Sequence, residues 1–253
     1  MSHLRAALKF VLISVLTFGA TIATLVAVAL ARDPVAKRRA GIRYLRPWAR
    51  RCARAIGMRV TIRGTPPQGA FIAVSNHLSY CDIYLIGMTS PTVFVAKAEI
   101  SRWPLLGAVT DAAGTLYIDR SRIRAIPQVV EQMDRIREAG LGVHFFPEGT
   151  TTDGSHVAPF RASLLEIAAR AERPVHFAAI RYTAPPGWPP ACDSICWWGD
   201  ATLLDHLWGL LRLPYFEAEI VFGEEPVLER DRKELAHRLQ EAVRGALEPD
   251  ARA

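Results

Sequence analysis

Hydrophobic positions are spread unevenly along the chain. Residues 10–31 run for 22 positions without a charge. As an α-helix that run rises about 33 Å, enough to cross the hydrocarbon core of a bilayer. A cleaved signal peptide is the alternative, and Ala29-Leu30-Ala31 fits its cleavage pattern. The run exceeds the roughly 7–15 apolar residues of a signal core, and the positive block after it opposes export. A retained membrane helix over 1–31 is therefore expected. From 36 to 58, Ile42, Leu45, Trp48, Cys52 and Ile56 recur three or four positions apart, with Arg43, Arg46, Arg50, Arg51 and Arg54 between them. This pattern predicts a basic amphipathic segment over 32–57 that lies in the membrane interface, apolar side down and arginines at the phosphates. A solvated basic helix packed on its own domain gives the same stripe. Pro47 lacks a backbone N–H, so it is expected to kink the helix or split it in two.

After residue 58 the periodicity changes. Short runs rich in Val, Ile, Phe and Ala alternate with helical patterns. The expected strands are 59–63, 70–74, 92–96, 115–118, 143–146, 175–180 and 218–222. The expected helices are 80–89, 126–139, 163–171 and 232–247. Strands apolar on both faces, alternating with helices, predict an α/β domain over 58–253 with a mixed, largely parallel sheet flanked by helices. The segment 185–190 (Pro-Pro-Gly-Trp-Pro-Pro) reads as a rigid loop. Trp197, Trp198, Leu203, Leu204, Leu207, Trp208, Leu210 and Leu211 form an apolar cluster that serves either the core or a second membrane contact.

Composition and charge narrow the classes. Half of the 253 residues are hydrophobic and 22% are charged, which excludes a disordered or collagen-like chain. The net charge of +6 is uneven: residues 1–31 carry +2, residues 32–54 carry +8, and the rest carries −4. A basic block beside an apolar segment points to anionic lipid headgroups rather than nucleic acid. By the positive-inside rule it places the domain in the cytoplasm. Four cysteines are too few for a disulfide scaffold, and Cys192-x-x-x-Cys196 has no second pair to make a zinc site.

Three segments carry candidate chemistry. Ser75-Asn76-His77-Leu78-Ser79-Tyr80-Cys81-Asp82 follows a strand and opens a helix, where α/β proteins place reactive groups. His77 suits a general base near neutral pH, with a carboxylate to fix its tautomer. Ser79-x-x-Asp82 also reads as a helix capping box, which accounts for Asp82 without catalysis. Phe146-Pro147-Glu148-Gly149-Thr150 closes a strand and sets Glu148 at its carboxyl end, able to accept from a substrate hydroxyl, or makes an ordinary turn. Lys97-Ala98-Glu99 and Tyr117-Ile118-Asp119-Arg120 end two further strands. Arg120 there can hold a phosphate bidentately or pair with Asp119.

Taken together, the segments resemble the glycerophosphate and lysophospholipid acyltransferase family, specifically its 1-acylglycerol-3-phosphate acyltransferases. The family's N-H-x-x-x-x-D matches Asn76, His77 and Asp82. Its K-x-E and hydrophobic-D-R elements match Lys97, Glu99, Asp119 and Arg120. Its F-P-E-G-T matches Phe146 through Thr150, and a proline before an apolar strand matches 174–180. The motifs stand in family order over about 58–180. The resemblance implies a membrane-bound enzyme that moves a fatty acyl group from an acyl-carrier-protein or coenzyme A thioester to the free hydroxyl of 1-acylglycerol-3-phosphate, giving phosphatidic acid. It implies that His77 is the base and Asp82 orients it. Arg120, aided by Lys97, would hold the acceptor phosphate, and Glu148 and Gly149 its glycerol. Asn76 and Thr150 would complete the binding set. Membrane lipids are the implied partners; no metal, redox cofactor or nucleic acid is implied. Two departures bear on the acceptor. Thr151 and Thr152 follow where the family often has Arg-Ser, and Phe160-Arg161-Ala162-Ser163 replaces F-K-x-G. Similar proteins acylate lyso-ornithine lipid or other lysolipids, and a non-catalytic lipid-binding protein is the reading from another class.

Overall fold

The computed structural model describes residues 2–103, 106–118 and 126–248. In chain order these form α1 (Ser2–Leu30), α2 (Pro34–Arg43), α3 (Leu45–Ile56), β1 (Met58–Arg63), β2 (Ile72–Ser75), α4 (Cys81–Thr89) and β3 (Thr92–Lys97). A 3-10 turn (Ala98–Arg102), α5 (Leu106–Ala112), β4 (Leu116–Ile118), α6 (Ile126–Glu138) and β5 (Gly142–Phe145) follow. The rest is α7 (Glu166–Arg170), β6 (Val175–Thr183), α8 (Ala191–Ser194), α9 (Leu203–Arg212), β7 (Phe216–Phe222) and α10 (Arg232–Leu247).

The strands form one seven-stranded sheet in the order β1-β7-β6-β2-β5-β3-β4. Its neighbours are parallel except β6 and β7, so the sheet is mixed and mostly parallel, as the pattern predicted. Each strand sends alternate residues to opposite faces. Val93, Val143 and Phe145 pack with Met133 and Ile136 of α6 and Leu239 of α10. Phe94, Ala178 and Ile180 pack on the other side with Ala6 of α1, Ile56 of α3 and Leu85 of α4. Leu78, Cys81, Phe146 and Tyr182 belong to this second layer.

The basic segment over 32–57 takes a different arrangement from the interfacial one expected. The chain does break into two helices, but at Tyr44, and Pro47 sits in the first turn of α3. There its missing N–H is no loss, because first-turn amides have no helical partner. The apolar stripe of α3, namely Leu45, Ala49, Cys52, Ala53 and Ile56, is buried. It packs on α4 and α1, so the protein interior takes the place expected for the lipid interface. The arginines Arg43, Arg46, Arg50, Arg51 and Arg54 remain exposed on the opposite side. Gly57 ends α3 with φ 85°, a left-handed cap that glycine adopts without steric cost.

α1 is 29 residues long and apolar enough to cross a membrane, and 11% of its most apolar window is buried. It lies along the domain. Lys9 Nζ donates to Ile56 O at 2.6 Å and Leu213 O at 2.8 Å, and Trp48 Nε1 donates to Thr17 Oγ1 at 3.1 Å. Leu8, Val11, Leu12, Val15 and Ile22 face outward. The apolar cluster near 197–213 is divided. Thr202 caps α9 by accepting from Asp205 N, Leu210 and Leu211 are buried, and Leu204 and Trp208 are 70% and 37% exposed.

Candidate active site

β2 ends at Ser75, paired with Ala178 of β6. The next residue prolongs that ladder with its side chain: Asn76 Nδ2 donates to Ile180 O at 2.9 Å, and its Oδ1 accepts from Ile180 N at 2.7 Å. Asn76 is buried, and both ends of its amide are spent on backbone. Its expected place in the substrate-binding set is corrected accordingly. It clips the loop that follows to the centre of the sheet.

That loop carries His77. Its Nδ1 lies 2.7 Å from Asp82 Oδ2. Asp82 sits in the first turn of α4, with no exposed surface. The same Oδ2 accepts from Leu78 N at 2.8 Å and Ser79 N at 3.1 Å, and Oδ1 accepts from Tyr182 Oη at 2.6 Å. Asp82 therefore makes the carboxylate half of a capping box and orients the imidazole at once, so the two sequence readings coexist. An ionised carboxylate only accepts, which makes Nδ1 the protonated nitrogen and leaves Nε2 with a free lone pair. The helix N-terminus adds to the stabilisation of the negative charge.

Glu148 holds the loop from the other side. Its Oε1 accepts from His77 N at 2.8 Å and its Oε2 from Ala158 N at 3.2 Å, and it is 3% exposed. Burial pushes its carboxyl up to about 7, against the pull of the two amides. Glu148 was expected to position acceptor glycerol; both its oxygens instead bind backbone amides, one of them that of His77. Thr152 N donates to His77 O at 2.9 Å, so the segment after β5 grips His77 at both its backbone groups. Gly149 makes the turn between these contacts with φ 81°.

Phe146 lies flat on the His77 ring, with centroids 3.8 Å apart and planes at 10°. Behind it stands His144, edge-on to Phe146 at 5.1 Å and buried. Ser75 Oγ donates to Asn76 O at 3.0 Å, so His144 Nε2, 3.1 Å from that oxygen, is the donor. Burial holds the His144 imidazole down to about 3, with a smaller push from His77. It is thus depressed from 6.5, and its contribution to stability is present above pH 6.5 and lost as pH falls towards 3. Between pH 6.5 and 3.5 this should cost the folded state on the order of a few kcal/mol for such a shift, a loss that Glu148, titrating in the opposite sense between 4.5 and 7, partly offsets in thermal melts. In His144→Gln that loss should flatten. An equal slope in the variant would assign the acid sensitivity to other groups.

A cavity of about 770 Å³ opens at His77. Phe146, Gly149, Thr150 and Lys97 line it beside the imidazole, Trp103 and Val109 farther along, and Thr17, Thr21 and Thr24 of α1 form a wall. Lys97, at the end of β3, is exposed. Asp119 and Arg120 lie outside the described residues. A second cavity of about 200 Å³, lined by Ile118, Pro147, Arg161 and Ser163, lies across Phe146 from the first.

A family model described as Acyltransferase matches residues 58–181. A lyso-ornithine lipid O-acyltransferase of Pseudomonas aeruginosa is 38% identical over 209 residues, covering 81% of this chain and 78% of that one. The chain belongs to the glycerophosphate and lysophospholipid acyltransferase family. A 1-acyl-sn-glycerol-3-phosphate acyltransferase of Neisseria gonorrhoeae is 31% identical over 73% of this chain and 72% of its own. The crystal structure of a 1-acyl-sn-glycerophosphate acyltransferase from Thermotoga maritima superposes with a TM-score of 0.73, covering 99% of this chain and 96% of that one. At 22% identity that likeness speaks for the fold.

Two residues of this acyltransferase site had no place in the sequence reading. Tyr182 stands two positions beyond Ile180, where the apolar strand was read as ending; the period-2 alternation of a strand sets it on the same face as Ile180. His144 is a titratable residue inside an apolar run, between Val143 and Phe145. That mismatch was a visible signal.

Proposed function

We propose that the acyltransferase acylates the free hydroxyl of 1-acylglycerol-3-phosphate, with a fatty acyl thioester as donor. One observation carries this reading: the His77–Asp82 pair sits at the opening of an apolar cavity walled by α1, the helix with the outward apolar face. His77 Nε2 takes the hydroxyl proton as the oxygen attacks the thioester carbonyl. The carbon–sulfur bond then breaks, and the imidazolium returns its proton to the leaving thiolate. The cavity takes an acyl chain, which passes from the bilayer along α1 without crossing water. Its volume falls within the usual range of small-molecule pockets. Arg120, with Lys97, holds the acceptor phosphate. Neither a metal nor a redox cofactor is required by these steps.

Association with the membrane is through α1, with Leu8, Leu12 and Val15 in hydrocarbon and the arginine side of α3 at the headgroups. The helix is bonded to the domain from Lys9 to Thr17, which supports tight attachment of the whole enzyme to the bilayer surface. The basic block of residues 32–54 favours the cytoplasmic side.

A second reading makes lyso-ornithine lipid the acceptor. It is favoured by the higher identity of the Pseudomonas aeruginosa relative and by Thr151, where an arginine is common in the family. Purified full-length protein in detergent, given acyl-carrier-protein and coenzyme A thioesters, is expected to convert 1-acylglycerol-3-phosphate. Arg120→Ala should raise KM for that acceptor about 10- to 100-fold, the effect of losing a charged partner, with a smaller change for the donor. Turnover of lyso-ornithine lipid alone would install the second reading. Transfer to no lysolipid would favour a non-catalytic lipid-binding protein.

A further inference from the structure

Asp82 accepts four hydrogen bonds, and three of them come from its own loop: His77, Leu78 and Ser79. All three converge on Oδ2. The fourth arrives from a strand 100 positions away, and it alone engages Oδ1 among the described residues: Tyr182 Oη at 2.6 Å. The phenol is buried, 6% exposed, and its ring packs edge-on to Phe216 of β7 at 5.9 Å. In the β6–β7 ladder Tyr182 pairs with Ala218, so its backbone is fixed on one side by the sheet. Two residues earlier, Ile180 is fixed on the other side by Asn76. One strand thus holds both the loop that carries His77 and the carboxylate that orients it.

We propose that Tyr182 is a positioning residue of the acyl transfer, locking Asp82 through Oδ1 and thereby setting the orientation and basicity of an imidazole it does not touch. A carboxylate held through both oxygens is restrained more tightly about its Cβ–Cγ bond than one held through Oδ2 alone. The hydroxyl also draws negative charge towards Oδ1, away from the oxygen that faces His77. Without it, the charge beside the imidazole is more concentrated, and His77 keeps its proton to higher pH. The phenol stays protonated throughout, since burial raises it well above its ordinary value. Among the described residues, the other titratable groups around the pair are Glu148, His144, Cys81, Cys196 and, in the cavity lining, Lys97, which Tyr182→Phe leaves in place. Burial keeps both thiols protonated and His144 neutral near pH 7. Glu148, which titrates at about 7, is common to wild type and variant, so it cancels in their comparison.

The inference rests on the reading of His77 as the base, and the test separates the two. In full-length Tyr182→Phe, which removes one hydroxyl and keeps the ring, kcat is expected to fall roughly 10- to 100-fold. KM for acceptor and donor should be unchanged, because the phenol touches neither. The acid limb of the kcat–pH profile should move to higher pH. Placing 3-fluorotyrosine at position 182, a more acidic phenol and stronger donor, should move the limb the opposite way. A merely structural tyrosine predicts a lower melting temperature with kcat and the acid limb unchanged, and that result would overturn the proposal. So would a raised acceptor KM at constant kcat, which would put the hydroxyl in contact with substrate. Wild-type turnover in His77→Ala would instead remove the base reading itself, whatever Tyr182→Phe does.

Discussion

Replacing His77 by alanine is expected to lower kcat by about 10²- to 10⁴-fold, the usual contribution of a positioned general base. The fold should survive. The side chain is 20% exposed, and what it loses is a stacking contact with Phe146 and one hydrogen bond to Asp82. Asp82→Asn is expected to be as severe for turnover and worse for stability. Asparagine carries no negative charge and offers one acceptor oxygen where Asp82 uses two to receive four donors. Thiol release from the acyl donor and the melting temperature, measured on both variants, separate the roles. A folded His77→Ala protein with wild-type turnover would refute the mechanism.

Glu148→Ala has the next largest expected effect, and it falls on kcat and stability together. The change leaves His77 N and Ala158 N, both part-buried, without partners, at up to roughly 1–3 kcal/mol each. The backbone of His77 then loses one of its two grips, and a displacement of about 1 Å at a catalytic group is enough to cost 10²-fold in rate. Acceptor KM should change little. A variant as stable as wild type whose defect lay wholly in acceptor KM would return Glu148 to the acceptor site. Glu148→Gln adds a pH signature. The wild-type carboxyl is raised from 4.5 to about 7, so its contribution is present below 4.5 and lost as pH rises to 7. That part of the stability profile should vanish in the glutamine variant.

All seven strands were legible in the sequence to within two residues at most ends, because strands covered on both faces are continuous apolar runs. The exception is instructive. β6 was read as 175–180 but continues to Thr183. Its last residues, Arg181 and Thr183, are exposed, and Tyr182 between them is buried. That alternation belongs to the antiparallel pairing with β7, and it ends the apolar run without ending the strand. α9 was seen as an apolar cluster and not as a helix, although Thr202-x-x-Asp205 is a capping signature. The stripe of α3 had the right residues and the wrong neighbour, since periodicity shows which side is apolar and says nothing of what covers it.

The site was legible as a set of residues and not as a division of labour. His77 and Asp82 are five positions apart, and their pairing follows from the loop they share. Asn76 and Glu148 bind backbone groups 104 and 71 positions away, and such pairs leave no local trace. Glu148 looked like a substrate ligand because polar side chains at strand ends usually face solvent or ligand, and Asn76 was placed beside it by the family motif alone. The sheet order brings β6 and β5 to either side of β2 and turns Asn76 and Glu148 into clamps.

Lys9 gives the N-terminal helix a second meaning. Its ammonium binds Ile56 O at the end of α3 and Leu213 O just past α9, and farther along Thr17, Thr21 and Thr24 wall the cavity. Trimming α1 to obtain a water-soluble enzyme would therefore strip two helix ends of a shared cap and unroof the cavity at His77. Inhibitors selected against such a trimmed protein would be fitted to an open trough, and their potency would not carry over to the enzyme in its bilayer. Screening against this fold calls for the whole chain in detergent or nanodiscs.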